Sequence, residues 1–153
     1  MIEYLEEARE ELKRVDHLIY VSLKYTRTVD VLLNAISRMI DAYDLTFQAI
    51  IQNSIDKEEL KNMPATPIER GNAVRDLYPD DQQINDNVEL CFLLRKIHRS
   101  PNPEKTQEYR RHVQLSTFVD GREEIVNIDI ITQYYHFQQE FFKKINILLA
   151  GDE

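Results

Sequence analysis

Apolar residues recur along this chain at steps of three and four over four long stretches, a spacing that gathers them on one face of a helix in each. In the first, from Ile2 to about Tyr25, the stripe is Leu5, Ala8, Leu12, Val15 and Ile19, with Glu6, Glu7, Glu10, Glu11, Lys13 and Arg14 elsewhere. Thr26-Arg27-Thr28 then offers hydroxyls that can cap a following helix, and Asp30 falls in its first turn. The second stretch is the most regular: Val29, Leu33, Ile36, Ile40, Tyr43, Phe47 and Ile50 follow one another without a failure to about Asn53. At the helical rise this element is about 37 Å long, enough to span a small domain. Leu32, Met39 and Ile51 widen its stripe beyond a strict seam, which favours bundle packing over a coiled coil.

A short turn of helix is expected at 56–61. Thr66-Pro67-Ile68-Glu69 then places an N-cap hydroxyl, a proline at the first helical position and a glutamate at the third, and so starts a short helix ending near Tyr78-Pro79. Asp80 or Asp81 can cap a third long helix carrying Ile84, Val88, Cys91, Phe92, Leu94 and Ile97. The continuous apolar run from Leu90 to Leu94 predicts neighbours on nearly all sides and puts this helix at the centre of the bundle.

Ser100-Pro101-Asn102-Pro103 must leave the helix, and the period then changes. Two β-rich runs flank Asp120-Gly121, a dipeptide strongly favoured in two-residue hairpin turns. In that register Leu115 faces Val126, Val113 faces Ile128, and Thr117 faces Glu124. An isolated hairpin is barely stable in water, so this one must lean on the helices or on a second copy. Asn127 or Asp129 can cap the last helix, with Ile130, Tyr134, Phe141, Ile145 and Leu148 continuing the helical spacing to Gly151. The expected fold is mainly α: four main helices plus a short helix, in a single domain over residues 1–153, with one β-hairpin (about 111–128) before the last helix.

Composition narrows the function by exclusion. No run approaches the length of a membrane span, and the acidic opening Met1-Ile2-Glu3-Tyr4-Leu5-Glu6-Glu7 is unlike a signal or transit peptide, so a cytoplasmic location is expected. Cys91 stands alone, which rules out an internal disulfide and all-cysteine zinc sites. Gly71, Gly121 and Gly151 are too far apart to write a phosphate loop or a dinucleotide turn. No E-x-x-H pair exists either: the residues three before His17, His98, His112 and His136 are Arg14, Arg95, Tyr109 and Gln133, which rejects the di-iron carboxylate bundles. No cofactor and no metal is therefore expected.

A net charge of −8 opposes non-specific nucleic-acid binding over the whole surface, but the charge is uneven. Between Arg95 and His112, Arg95, Lys96, Arg99, Lys105, Arg110 and Arg111 stand against Glu104 and Glu108, a local +4 that leaves −12 for the rest. These six cations are the candidate ligand-binding residues. They flank a proline-containing loop and can converge on a phosphate, for which guanidinium forks are suited. The competing account is that they neutralise the acidic helices of the same bundle. His98 or His112, with Arg110, Arg111 or Arg95, forms the candidate catalytic set of a metal-independent ribonuclease, since imidazole titrates near neutrality. Tyr20, Tyr25, Tyr134 and Tyr135 can stack on bases or serve as core and rim.

The stretch from Asp16 to Asp30, DHLIYVSLKYTRTVD, together with Tyr109-Arg110-Arg111-His112-Val113 and Val126-Asn127-Ile128-Asp129-Ile130-Ile131, resembles a group of small uncharacterised archaeal proteins. The helix layout, two long helices first, one in the middle and one last, resembles HEPN domains. That resemblance implies a helical bundle, often dimeric, linked to RNA binding or RNA cleavage. Active HEPN members carry an arginine four to six residues before a histidine; here Arg95 and His98 are too close and Arg111 is adjacent to His112. Two readings follow. One is a non-catalytic binding or assembly module that engages RNA or an acidic protein partner through the basic loop and self-associates as a homo-oligomer; the alternative is a HEPN-like ribonuclease.

Overall fold

Residues 29–56 fold as one helix because Thr28 caps its start and apolar side chains recur at helical spacing along its whole length, leaving a polar strip through Asp30, Asn34, Asp41, Gln48 and Gln52 to face water. The computed structural model describes residues 1–151. The chain runs α1 (Ile2–His17), a π-helical turn (Leu18–Ser22), α2 (Leu23–Tyr25), α3 (Val29–Asp56), α4 (Pro67–Leu77), α5 (Gln82–Arg99), β1 (Glu104–Thr106), β2 (Gln114–Val119), β3 (Arg122–Asn127) and α6 (Ile128–Ala150). The fold is mainly α, with the hairpin before the final helix as the hydrophobic pattern predicts.

The start signals act as read. Thr28 Oγ1 accepts from Val31 N–H, Thr66 Oγ1 from Glu69 N–H, Asp81 Oδ1 from Ile84 N–H and Asn127 Oδ1 from Ile130 N–H. Between the two residues proposed for each of the last two caps, Asp81 and Asn127 take the role. Asp120 and Gly121 both have positive φ, 53° and 80°, as a tight hairpin turn with right-handed strands requires. The register pairs Leu115 with Val126 and Thr117 with Glu124.

Four expectations change. The helix at the centre is α3, which packs against α1, α4, α5 and α6, and not α5. Within the apolar run of α5, Phe92 and Leu93 are only half-buried. The segment 56–61 holds no separate helix. There α3 closes with Glu58 in the left-handed region (φ 64°) and Glu59 N–H returning 2.9 Å to Ser54 O, a helix-ending bond that turns the chain away. The loop after α5 contributes a third strand: β1 pairs antiparallel with β2, placing Lys105 opposite Leu115, so the sheet order is β1-β2-β3. Residues 111–113, expected in the hairpin, form the turn that precedes β2.

Polar groups inside this core are tied across helices. Tyr43 Oη donates to Asn87 Oδ1 at 2.6 Å, and both residues are fully buried. Gln138 Nε2 donates to Met39 O at 2.9 Å, joining α6 to the middle of α3. Asp81 joins α5 to α6 through Lys144 Nζ at 2.6 Å. Burial works to raise the pKa of Asp81, but the hydrogen bond from Lys144, the N–H groups of Ile84 and Gln83 and the Lys144 charge outweigh it and hold the carboxyl below its ordinary 3.8. A depressed folded pKa contributes stability above the unfolded value and loses it as pH falls through the folded one. Asp81→Asn keeps a capping oxygen and loses the ion pair. Urea midpoints followed from neutral pH to about pH 3 should therefore fall less steeply for the variant than for the parent on the acid limb. Parallel curves would show that Asp81 carries no acid sensitivity.

Candidate anion-binding cleft

The turn carrying Arg110, Arg111 and His112 is held in place by the start of α3. A helix leaves its first N–H groups without partners, and here Glu108 Oε2 accepts from Val29 N–H at 3.1 Å while Thr28 caps Val31. One residue later Tyr109 N–H donates to Arg27 O at 2.6 Å. Two contacts thus dock residues 108–109 onto the corner between α2 and α3, and they bring Arg111 and His112 beside Lys24 and Arg27.

These four residues line a cleft of about 440 Å³. Its other wall is the π-helical turn, which supplies Ile19 and Tyr20, and the junction of sheet and last helix, which supplies Gln114, Asn127, Ile128 and Asp129. A π-helical turn inserts a residue into a helix and occurs often where a site needs a side chain re-aimed. Here Tyr20 Oη lies 2.8 Å from His136 Nε2 on α6, bridging the two helices at the cleft wall.

Three cations face one carboxylate in the lining, and none of Lys24, Arg27 and Arg111 forms an ion pair among the described residues. Arg27 is the telling member. Its Nε is fully enclosed and has no hydrogen-bond partner, a state that costs about 1–3 kcal/mol for a buried donor and more for a charged one. An anion seated in the cleft would compensate the charge of this guanidinium, whose enclosed Nε has no acceptor of its own. The first turn of α6 adds the positive end of a helix dipole, from which Asp129 subtracts.

The other sequence candidates do not line this cleft. Lys96 is used by Asp120 of the hairpin turn at 2.7 Å, and Lys105 lies 3.8 Å from Asp30. Arg99 and Arg110 are exposed and form no ion pair among the described residues. Arg95 has an enclosed, unpartnered Nε of its own, and its charge acts on Cys91. Burial nevertheless pushes the Cys91 thiol up to about 12, so at neutral pH it is protonated and serves as a small apolar side chain. His98 is exposed and acts on Asp41 of α3. Burial, helped by Glu11 and Asp44, raises the pKa of Asp41 against the opposing charges of Arg38 and His98. Arg95 and His98 therefore stay outside the cleft, while Arg111 and His112 line it.

Of the tyrosines, Tyr135 is buried and donates to Asp16 Oδ2 at 3.0 Å, Tyr134 is half-buried, and Tyr25 is exposed. Sequence reasoning missed Lys24, Arg27 and Glu108 as site residues. The available signal was a pair of cations three apart flanking a tyrosine, in Tyr20-Val21-Ser22-Leu23-Lys24-Tyr25-Thr26-Arg27. No protein-family model, curated protein or solved structure matches the chain. Among the described residues no helix is long and apolar enough to cross a membrane, and no group of three or more His, Cys, Asp and Glu is placed to hold a metal ion.

Glu108→Ala should cost about 0.5–2 kcal/mol, the worth of a helix cap, and amide exchange at Val29 and Tyr109 should accelerate together. Unchanged exchange at Tyr109 would mean that the turn is held by something other than this carboxylate.

Proposed function

We propose that the protein is a non-catalytic binding module that takes the phosphate backbone of RNA into the cleft of Lys24, Arg27, Arg111 and His112. The observation that carries this reading is the enclosed and unpartnered Nε of Arg27 in a wall shared with two further unpaired cations. Arginine presents a planar fork of donors that matches two phosphate oxygens, and lysine adds a compact charge. An overall charge of −8 keeps the attraction local, since a polyanion lying anywhere else meets the acidic helices. The resemblance to HEPN domains agrees with an RNA ligand. It also fits the departure of this chain from the arginine–histidine spacing of the cleaving members.

One observation favours the ribonuclease alternative: His112 lines the same cleft as Arg111, so a titratable imidazole and a guanidinium share the ligand's space. The other candidate histidine, His98, does not line this cleft.

Fluorescence anisotropy of a labelled mixed-sequence RNA, at roughly 50 and 200 mM salt, tests the binding reading. The parent should bind in a salt-dependent way. Lys24→Glu/Arg111→Glu should lose at least tenfold in affinity, with the salt slope reduced by about 0.7 for each phosphate contact removed from a single strand. Failure of the parent to bind at the lower salt would sink the RNA reading and leave an acidic protein partner to be tested on the same variant. Cleavage of that RNA by the parent and not by His112→Ala would replace the non-catalytic reading with the ribonuclease.

A further inference from the structure

The two most exposed aromatic side chains of the described chain are carried by the segments that form the cationic cleft, Tyr25 next to the lining residue Lys24 and Tyr109 two residues before Arg111, although neither lines the cleft itself. Tyr109 and Tyr25 keep 76% and 79% of their surface in solvent. Both lie within two residues of the hydrogen bond from Tyr109 N–H to Arg27 O, the bond that closes the cleft corner. Tyr109 is also held at φ 65°, a left-handed conformation that bulky side chains adopt rarely and at a cost of about 1–2 kcal/mol. Gln107, two residues before it, is left-handed as well at φ 53°. Nothing inside the chain is gained by the ring of Tyr109 in return for this conformation, because the ring is not packed. Backbone strain of this kind persists where surrounding bonds enforce it, and it collects at ligand-binding segments.

Resting on the RNA-binding reading above, we infer that the ligand of this cleft is single-stranded nucleic acid, with phosphates at Lys24, Arg27 and Arg111 and unpaired bases stacked on Tyr109 and Tyr25. Cationic grooves flanked by exposed aromatic rings suit single strands because every base offers a π-face once it leaves a helix. A duplex keeps those faces stacked on one another and cannot present them. The acidic charge of the remaining surface works in the same direction: a rigid duplex extends past the cleft into that surface, whereas a flexible strand can bend away from it.

The test compares the full chain with Tyr25→Ala/Tyr109→Ala and with Tyr25→Phe/Tyr109→Phe. The probes are a labelled single strand of about twelve nucleotides, as RNA and as DNA, the annealed duplex, and an abasic strand of the same length. The alanine variant should lose at least about 30-fold in affinity for the single strands, since each of the two stacking platforms removed is worth about five- to 150-fold. Its salt slope should be unchanged, since no charge is altered. The phenylalanine variant should bind like the parent, and the abasic strand should bind the parent and the alanine variant equally. A preference for RNA over DNA would identify a contact to the 2′-hydroxyl as part of the stacked arrangement. An alanine variant that holds the single strand as tightly as the parent, or a duplex bound as tightly as the single strand, would overturn the stacking inference. Loss of binding on Lys24→Glu/Arg111→Glu would in either case leave phosphate recognition standing. Absence of binding by the parent to every probe would overturn both.

Discussion

A helix that is apolar over most of its circumference cannot sit on the surface of a small protein, and this constraint on α3 organises the whole molecule. Its buried set includes Leu32, Ile36, Met39, Tyr43, Phe47, Ile50 and Ile51 and also the flanking Ala35, Ala42, Ala49 and Thr46. Covering both groups needs neighbours on several sides, and α1, α4, α5 and α6 supply them. Apolar burial is non-directional, so it cannot by itself decide how the surrounding helices are rotated or staggered. The polar contacts do so. Tyr43 Oη meets Asn87 Oδ1, and Gln138 Nε2 meets the carbonyl of Met39, each in a space where a misplaced donor would have no water to turn to. Gln138 Oε1 stays unpartnered and buried, so the contact that aligns α6 with α3 carries a cost of its own.

The same spine fixes the cleft. Its first N–H groups face outward from the core, and they recruit Glu108 from a turn nearly eighty residues further along. That bond sets the turn against Arg27, and the turn in its place leads directly into β2, whose first residue Gln114 lies opposite Asn127, the cap of α6. Three chain segments distant in sequence thereby meet at one corner. The cations among them converge because helix starts need acceptors, not because like charges seek each other.

Local signals carried most of the fold. The uninterrupted spacing of α3, the Thr66-Pro67-Ile68-Glu69 start and the Asp120-Gly121 turn each act within a few residues, and each appears where the sequence places it. Strand β1 carries no such signal. Glu104 and Lys105 are exposed and lack alternation, and their extended state comes from pairing with Ser116 and Leu115. The centrality of α3 over α5 was hidden for a related reason: Leu93 and Phe92 look like core residues in sequence, but only packing reveals that they are half-covered. The basic segment divides in the same way. Spacing located its charges, while the ion pairs of Lys96 with Asp120 and of Lys105 with Asp30 depend on where distant acids fall. Arg111 and His112 needed Lys24 and Arg27 to make a site, and that meeting depends on Glu108.

Two departures from low-energy practice then stand side by side: Arg27 holds a guanidinium nitrogen out of water without a partner, and Tyr109 holds a left-handed backbone with its ring unpacked. A single hydrogen bond joins them, from the N–H of the second to the carbonyl of the first. Further departures exist, in the enclosed nitrogen of Arg95, the unpartnered Oε1 of Gln138 and the left-handed Glu58, but they lie apart from one another, while from the caps to the hairpin register local preference and global fold agree, as a sequence that specifies one structure requires. Where agreement breaks down without any internal compensation, an external one is the natural candidate. An anion would neutralise the charge of Arg27, and a flat apolar face would cover Tyr109. A nucleotide unit of a single strand carries both, in one covalent piece, which is why the two departures are better explained together than apart.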